Sequence, residues 1–358
     1  MTEACVFCGK LEGKKTKEHV IPGWLMRMTG NNSLKVWTPL KNLTGGDEVT
    51  QMDQNDLHFP ACDECNNADS ILEDRAKVAF IKLMRDEPLS VKGCVSLLDW
   101  FDKVRIGLWL GMRQLENDPF GMPVNFHIND RLGKKDRAVC IYKIADGQKG
   151  WGCLGTSTPS FHKHPGCFTL IVNSICILNL STDHFLARNM GLPYPREARI
   201  LPGGKVEFGF VEGQRRLSPS LISYPTAPGC IQIIQPSIRG HLQLTLLAQD
   251  RKYIESLLPS NPKAIGRIYV SSNKTLAEVT DTPTQKWSKT RSYQASDQNS
   301  TFLRQTLMIQ NEMNAAYSTD DANALDDIDN SRRFNQAYID EIDRRAPSRK
   351  YESFHTPS

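Results

Sequence analysis

Apolar residues recur along this chain in two rhythms, and the change between them divides it. In the segment NADSILEDRAKVAFIKLMRD, which begins at Asn67, residues Ile71, Leu72, Ala76, Ala79, Phe80 and Leu83 fall at spacings near 3.6. That spacing predicts an amphipathic helix with one buried face. A second helix is predicted over 95–115, where Leu97, Leu98, Phe101, Val104, Leu108 and Met112 form a stripe. Gly107 and Gly111 interrupt it and point to close helix packing. The rhythm then shortens. Runs at 138–144, 168–180, 205–211 and 230–234 alternate or are continuously apolar, as strands do, and turns such as Leu201-Pro202-Gly203-Gly204 separate them. The central region therefore reads as α+β with an antiparallel sheet.

The flanks are less regular. Residues 20–60 are turn-rich, with Pro22-Gly23, Gly30-Asn31-Asn32 and Gly45-Gly46, which predicts short strands and loops. Beyond residue 250 the pattern supports a short helix over 251–258, a strand over 265–270, a polar linker or flexible arm over 280–300 and a helix over 302–317. The stretch 318–345 carries Asp320, Asp321, Asp326, Asp327 and Asp329, and reads as a solvated acidic arm. Three units follow: 1–88, 89–280 and a polar, partly helical or flexible region over 281–358. No internal repeat is evident.

Composition narrows the class. A chain of 358 residues suggests two domains with a tail, and 39% hydrophobic with 23% charged residues excludes a fibrous or wholly disordered protein. The opening MTEACVFCGK has no apolar core behind a basic start, and the longest apolar stretch is broken by Thr169, Asn173 and Ser174, so neither signal peptide nor membrane span is expected. Ten cysteines without a secretory signal, four of them in two Cys-x-x-Cys pairs, point to a cytoplasmic metal protein. The net charge of +4 is mild. It is concentrated, however: over 1–41, seven basic residues (Lys10, Lys14, Lys15, Lys17, Arg27, Lys35, Lys41) face three acidic ones, an excess that suits a phosphate backbone.

The cysteine pairs are Cys5-x-x-Cys8, followed by Gly9, and Cys62-x-x-Cys65. Four thiolates satisfy a tetrahedral zinc with no further ligand, as in structural sites. The gap of roughly 50 residues between the pairs is long for a zinc ribbon, but fits a treble clef with a hairpin and a loop inserted. Inside the gap stands Lys17-Glu18-His19-Val20-Ile21-Pro22-Gly23-Trp24-Leu25, and at its end Cys62-Asp63-Glu64-Cys65-Asn66-Asn67. In combination these residues resemble the HNH endonuclease family, in its bacterial branch with Cys-x-x-Cys-Gly, Glu-His-x-x-Pro and Cys-x-x-Cys-Asn-Asn. The resemblance covers about the first quarter of the chain. It implies a zinc-stapled treble-clef ββα-metal module, with His19 as general base and Glu18 as ligand to a divalent ion, most simply Mg²⁺. Asn66, directly after the last cysteine, would be the remaining ligand where many relatives carry histidine. Asn55, with His58 nearby, is the candidate for the central asparagine. The expected substrate is DNA, probed by backbone contacts, in a restriction or antiphage setting, with a regulatory protein or oligomer partner met through 89–358.

Each feature also has a plainer reading. The runner-up is a non-catalytic zinc module that binds nucleic acid or a protein partner on a degenerate scaffold. Side chains of neighbouring strand residues point to opposite faces, so Glu18 and His19 can meet one substrate only around a bend. Glu73 reads as one half of an ion pair. Cys153, His162, His164 and Cys167 contain ligand types that zinc favours, yet the loop-like Gly155-Thr156-Ser157-Thr158-Pro159 between them reads as chance proximity. Trp100, Phe101 and Trp109 read as helix core, and Gly203-Gly204 as a turn, not a phosphate loop.

Overall fold

The computed structural model describes residues 4–30, 33–36, 50–53, 58–115, 127–130, 132–133, 135–143, 149–183, 185–190, 193–200, 202, 206–212, 231–236, 268–272, 275–279, 295–316 and 322–345. The architecture is mixed helix and largely antiparallel sheet. Its N-terminal unit begins with strand β1 (Lys15–His19), which pairs antiparallel with β4 (His58–Cys62) in a register running from Lys15↔Cys62 to His19↔His58. Helix α2 (Asp63–Met84) starts at once, with Cys62 extended at its N-cap. Between β1 and β4 lie helix α1 (Gly23–Thr29) and strands β2 (Ser33–Val36) and β3 (Thr50–Asp53).

The turn signals at Pro22-Gly23 and Gly30 thus bound a short helix where loops and strands were expected. Pro22 is extended at the N-cap, and Gly30 closes the C-cap at φ 67, its N–H donating to the Met26 carbonyl at 3.0 Å. Glycine is the residue that the position after a helix favours, and proline at the entry contributes a fixed φ but no side-chain cap.

Nine strands form the main sheet in the order β13-β12-β11-β5-β8-β7-β6-β2-β3, where β5 is Asp136–Lys143, β6 Trp151–Leu154, β7 Cys167–Val172, β8 Ile175–Thr182, β11 Ile231–Gln235, β12 Tyr269–Ser272 and β13 Thr275–Glu278. Among the described residues the single parallel pairing is β2 with β6. Through β2 and β3, the segment between the two cysteine pairs extends the edge of this sheet. The continuous apolar run 168–180 is a hairpin, not one strand: β7 and β8 turn at Asn173, which stands at φ 49, and asparagine tolerates that conformation better than most side chains. Beyond helix α5 (Phe185–Met190), a separate hairpin pairs β9 (Pro193–Ile200) with β10 (Val206–Glu212).

The near-unbroken apolarity of the central strands has a cause, since both faces of the sheet are covered. On β5, Val139 and Ile141 join the core beneath α2 and α3 (Val91–Leu115), while Ala138, Cys140 and Tyr142 join the core beneath α6 (Ala295–Ala316) and α7 (Ala322–Arg345). The first core does not stop at residue 88. A chain of ring contacts runs from Phe80 and Trp24 through Trp100 and Phe101 to Phe168 on the sheet, with centroids 5.0–6.1 Å apart along Trp24, Trp100, Phe101 and Phe168. Gly107 lets α3 approach the end of β1: a Cβ there would lie 2.9 Å from Val20 Cγ1.

On the opposite face Phe302 packs on Tyr142 at 5.0 Å. The aspartate-rich segment differs from the expected acidic arm, because within it Ile328, Ser331, Asn335, Tyr338, Ile339 and Ile342 are buried at helical spacing. Asp326, Asp327 and Asp329 ride on the outer face of α7, and Asp320 and Asp321 lie outside the described residues. The helix predicted over 251–258 lies outside the described residues. No described helix is long and apolar enough to cross a membrane.

Candidate metal centre and neighbouring carboxylates

The two knuckles meet where β4 enters α2. Sγ atoms of Cys5, Cys8, Cys62 and Cys65 lie within 4.8 Å of one another. Four ligands at about 2.3 Å from a tetrahedral zinc stand about 3.8 Å apart, and Cys8 Sγ is 3.9 Å from Cys62 Sγ. Four thiols and nothing else fit a closed structural zinc site, and the burial of Cys5 and Cys62 fits a metal that holds the fold. Burial alone would raise the Cys5 thiol, but backbone N–H groups aimed at its sulfur, that of Cys62 at 3.3 Å among them, outweigh it and bring it down to about 7. The staple is backed by the 127–130 segment: Ile128 and Asn129 donate their N–H groups to the carbonyls of Val6 and Phe7, and Asn129 Nδ2 reaches Cys65 Sγ at 3.9 Å. Gly9, at φ 74, leaves room for the His127 ring, which a Cβ would strike at 2.2 Å.

Along β1 the side chains alternate, and no bend intervenes between Glu18 and His19. Glu18 is buried toward α2, while His19 is half-buried on the other face. Glu18 there meets Asp69 and Glu73, one turn apart on α2, and the three carboxylates come within 4.8 Å of one another. Into their midst α3 sends Lys103, whose ammonium donates to Glu18 Oε1 and Glu73 Oε1 at 2.6 Å each, and to Asp69. Burial pushes Glu18 up to about 7 against the pull of Lys103, with Asp69 and Glu73 adding to the rise. Burial raises Glu73 too, and the three carboxylates hold Lys103 above its ordinary value although burial opposes them.

A second buried charge cluster on α3 makes the contrast. Arg137 Nη1 donates to Asp99 at 2.5 Å and to Asp102 at 3.0 Å, and Arg105 Nη2 donates to Asp102 at 3.1 Å. Burial would raise Asp102, but the two guanidiniums hold it below its usual range. Two cations against two anions make a balanced set, fit for fastening α3 to the sheet. Three carboxylates around one ammonium are not balanced, and they leave room for a proton or a further cation.

No protein-family model, curated protein or solved structure matches this chain. The site therefore stands on its own geometry.

His19 closes β1 opposite His58, which opens β4, and their rings stand edge to face with centroids 6.2 Å apart. Asn66 sits half-buried in the first turn of α2, directly after Cys65. The carboxylates that reach Glu18 come from the same helix, at Asp69 and Glu73. Asn55 lies outside the described residues. Cys153 and Cys167 are buried on the adjacent strands β6 and β7, and His162 is buried at the end of α4 (Pro159–Lys163), its carbonyl accepting from Trp109 Nε1 at 2.6 Å. Asp69 and Lys103 escaped the sequence reading. A signal for Asp69 existed, since Asp69 and Glu73 continue the 76, 80, 83 stripe of α2 at the same spacing, as acids in line with a buried face.

Proposed function

We propose that this chain is a zinc-stapled, HNH-type endonuclease that hydrolyses phosphodiester bonds in DNA with the help of a divalent cation. The observation that supports it best is the four-thiol cluster at the entry to α2, formed by the two cysteine pairs on which the HNH resemblance rests, with His19 ending the strand that pairs with β4 beside it. The imidazole has the protonation state a base needs. Burial first, then His58, Lys17 and Lys103, lower its pKa below the ordinary 6.5, so it is neutral at pH 7 and accepts a proton from water. Glu18, with Asp69 and Glu73, would hold the cation, an oxygen donor set that suits Mg²⁺ or Mn²⁺. That cluster lies on the face of β1 opposite His19, so a cation there would have to reach the phosphate past the strand's end, where the chain bends at Val20-Ile21, to supply positive charge to it. The excess of lysine and arginine over 1–41 favours a polyanion, with affinity that falls steeply as salt rises.

A non-catalytic module is the second reading, and one observation favours it: Lys103 already donates to all three carboxylates, so the cluster needs no metal to be satisfied. A plasmid assay with Mg²⁺ or Mn²⁺ separates the two. The nuclease reading expects relaxed or linear product from wild type and a loss of about 10²–10⁴-fold in His19→Ala. Plasmid left supercoiled by wild type, or cut equally by both proteins, overturns it.

A further inference from the structure

Resting on the nuclease reading, we propose that His58 is a second catalytic residue of the same site: it donates the proton to the departing 3′ oxygen while His19 withdraws one from the attacking water. The two histidines terminate adjacent antiparallel strands at the same rung, His19 as the last residue of β1 and His58 as the first of β4. The rung fixes their backbones side by side. Their rings do not stack but stand edge to face, 6.2 Å between centroids and 61° between planes. Both are half-buried, and no hydrogen bond ties either ring to another described residue. The 6.2 Å between the ring centroids is a spacing that admits a phosphate oxygen between them. Lys17, exposed on the same strand two residues from His19, adds positive charge beside the pair.

The chemistry asks for two such groups. In the cleavage step the water oxygen forms a bond to phosphorus and the bond from phosphorus to the 3′ oxygen breaks. One proton leaves the water for the His19 imidazole, and one passes from the His58 imidazolium to the alkoxide. Atoms and charge balance, and the pair resets by exchange with solvent. A 3′ alkoxide is a poor leaving group and gains much from that proton. A nitrophenolate is a good one and gains little.

Leaving-group dependence is therefore the test, made on full-length zinc-loaded protein with Mn²⁺ present. Initial rates are measured on plasmid DNA and on bis(p-nitrophenyl) phosphate for wild type, His58→Ala, His58→Gln and His19→Ala, with zinc content and circular dichroism verifying that each variant is folded. The expected result is that both His58 variants lose at least about 100-fold more rate on DNA than on the nitrophenyl ester, whereas His19→Ala loses comparably on both. Added imidazole is expected to restore part of the DNA cleavage by His58→Ala. Equal losses on the two substrates, or full DNA cleavage by folded His58 variants, overturn the assignment while leaving the nuclease reading intact. A wild type inert toward both substrates overturns the nuclease reading itself.

Discussion

Replacing Lys103 by Met tests whether the carboxylate cluster is held together by one ammonium. The side chain is almost fully buried and donates to Glu18, Asp69 and Glu73, which come from two other elements, β1 and α2. Removing one partner of a buried ion pair leaves charge uncompensated, at a cost of about 3–5 kcal/mol. Here three carboxylates lose their only common cation among the described residues, so the upper end of that range is expected at pH 8.

The deficit should depend on pH, and its sign follows from Glu18. In the wild type that group is raised to about 7 from an ordinary 4.5. Between those values the unfolded chain has released the proton and the folded chain retains it. Stability from this group is thus fully present below about 4.5 and is lost as pH rises through about 7. At about 1.4 kcal/mol per unit, the whole span amounts to at most roughly 3.5 kcal/mol. Without Lys103, Glu18 and Glu73 rise further, so at pH 5 the variant takes up protons in place of the lost ammonium and recovers much of its deficit. Denaturant unfolding of zinc-loaded protein at pH 5 and pH 8, followed by circular dichroism, reads both numbers. A variant within about 1 kcal/mol of wild type at pH 8, or one with the same deficit at both pH values, refutes the reasoning. Millimolar Mn²⁺ at pH 8 should stabilise Lys103→Met more than wild type, because the ion then has no ammonium to displace.

Further outcomes follow from the staple and from one close contact. Cys62→Ser with Cys65→Ser should release the zinc and unfold the N-terminal unit, seen as loss of metal by elemental analysis and of helical signal; a folded, metal-free double variant would contradict the staple. Gly107→Ala places a methyl 2.9 Å from Val20 Cγ1 and should cost about 1–3 kcal/mol in denaturant stability, with Val20→Ala in the same chain restoring part of it.

Elements whose formation depends on their own periodicity were legible in the sequence. Helices α2 and α3 and strands β5, β10 and β11 fall within a few residues of where spacing places them. The errors arose where burial on two sides or capping overrode the simple pattern. The run 168–180 is apolar throughout because helices cover both faces of the sheet, so alternation could not mark the turn at Asn173. The aspartates of α7 concealed a helix because the residues it buries include serine and asparagine, which a hydrophobic stripe does not count. Asn335 Nδ2 donates to Ser160 Oγ at 3.0 Å and to Gln310 Oε1 at 3.3 Å, contacts between segments far apart in the chain.

The candidate site divides along the same line. Four cysteines in two short-spaced pairs are a local signal, and their convergence follows from thiolate chemistry. The carboxylate cluster is not local: Glu18 and Lys103 lie 85 positions apart, and Lys103 and Asp69 lie 34 apart. On α3 the cation is hidden in a helix that is buried nearly all round, so no polar face announced it. What selects Asp69 and Glu73 over Asn66 is the angle at which α2 leaves the staple. That angle turns the residues four and eight positions past Cys65 toward β1, and a metal shared by Cys62 and Cys65 with Cys5 and Cys8 would fix it. Loss of zinc should therefore separate Glu18 from Asp69 before it disturbs the main sheet, so that a metal-depleted protein would lose the site while keeping the core beneath α6 and α7.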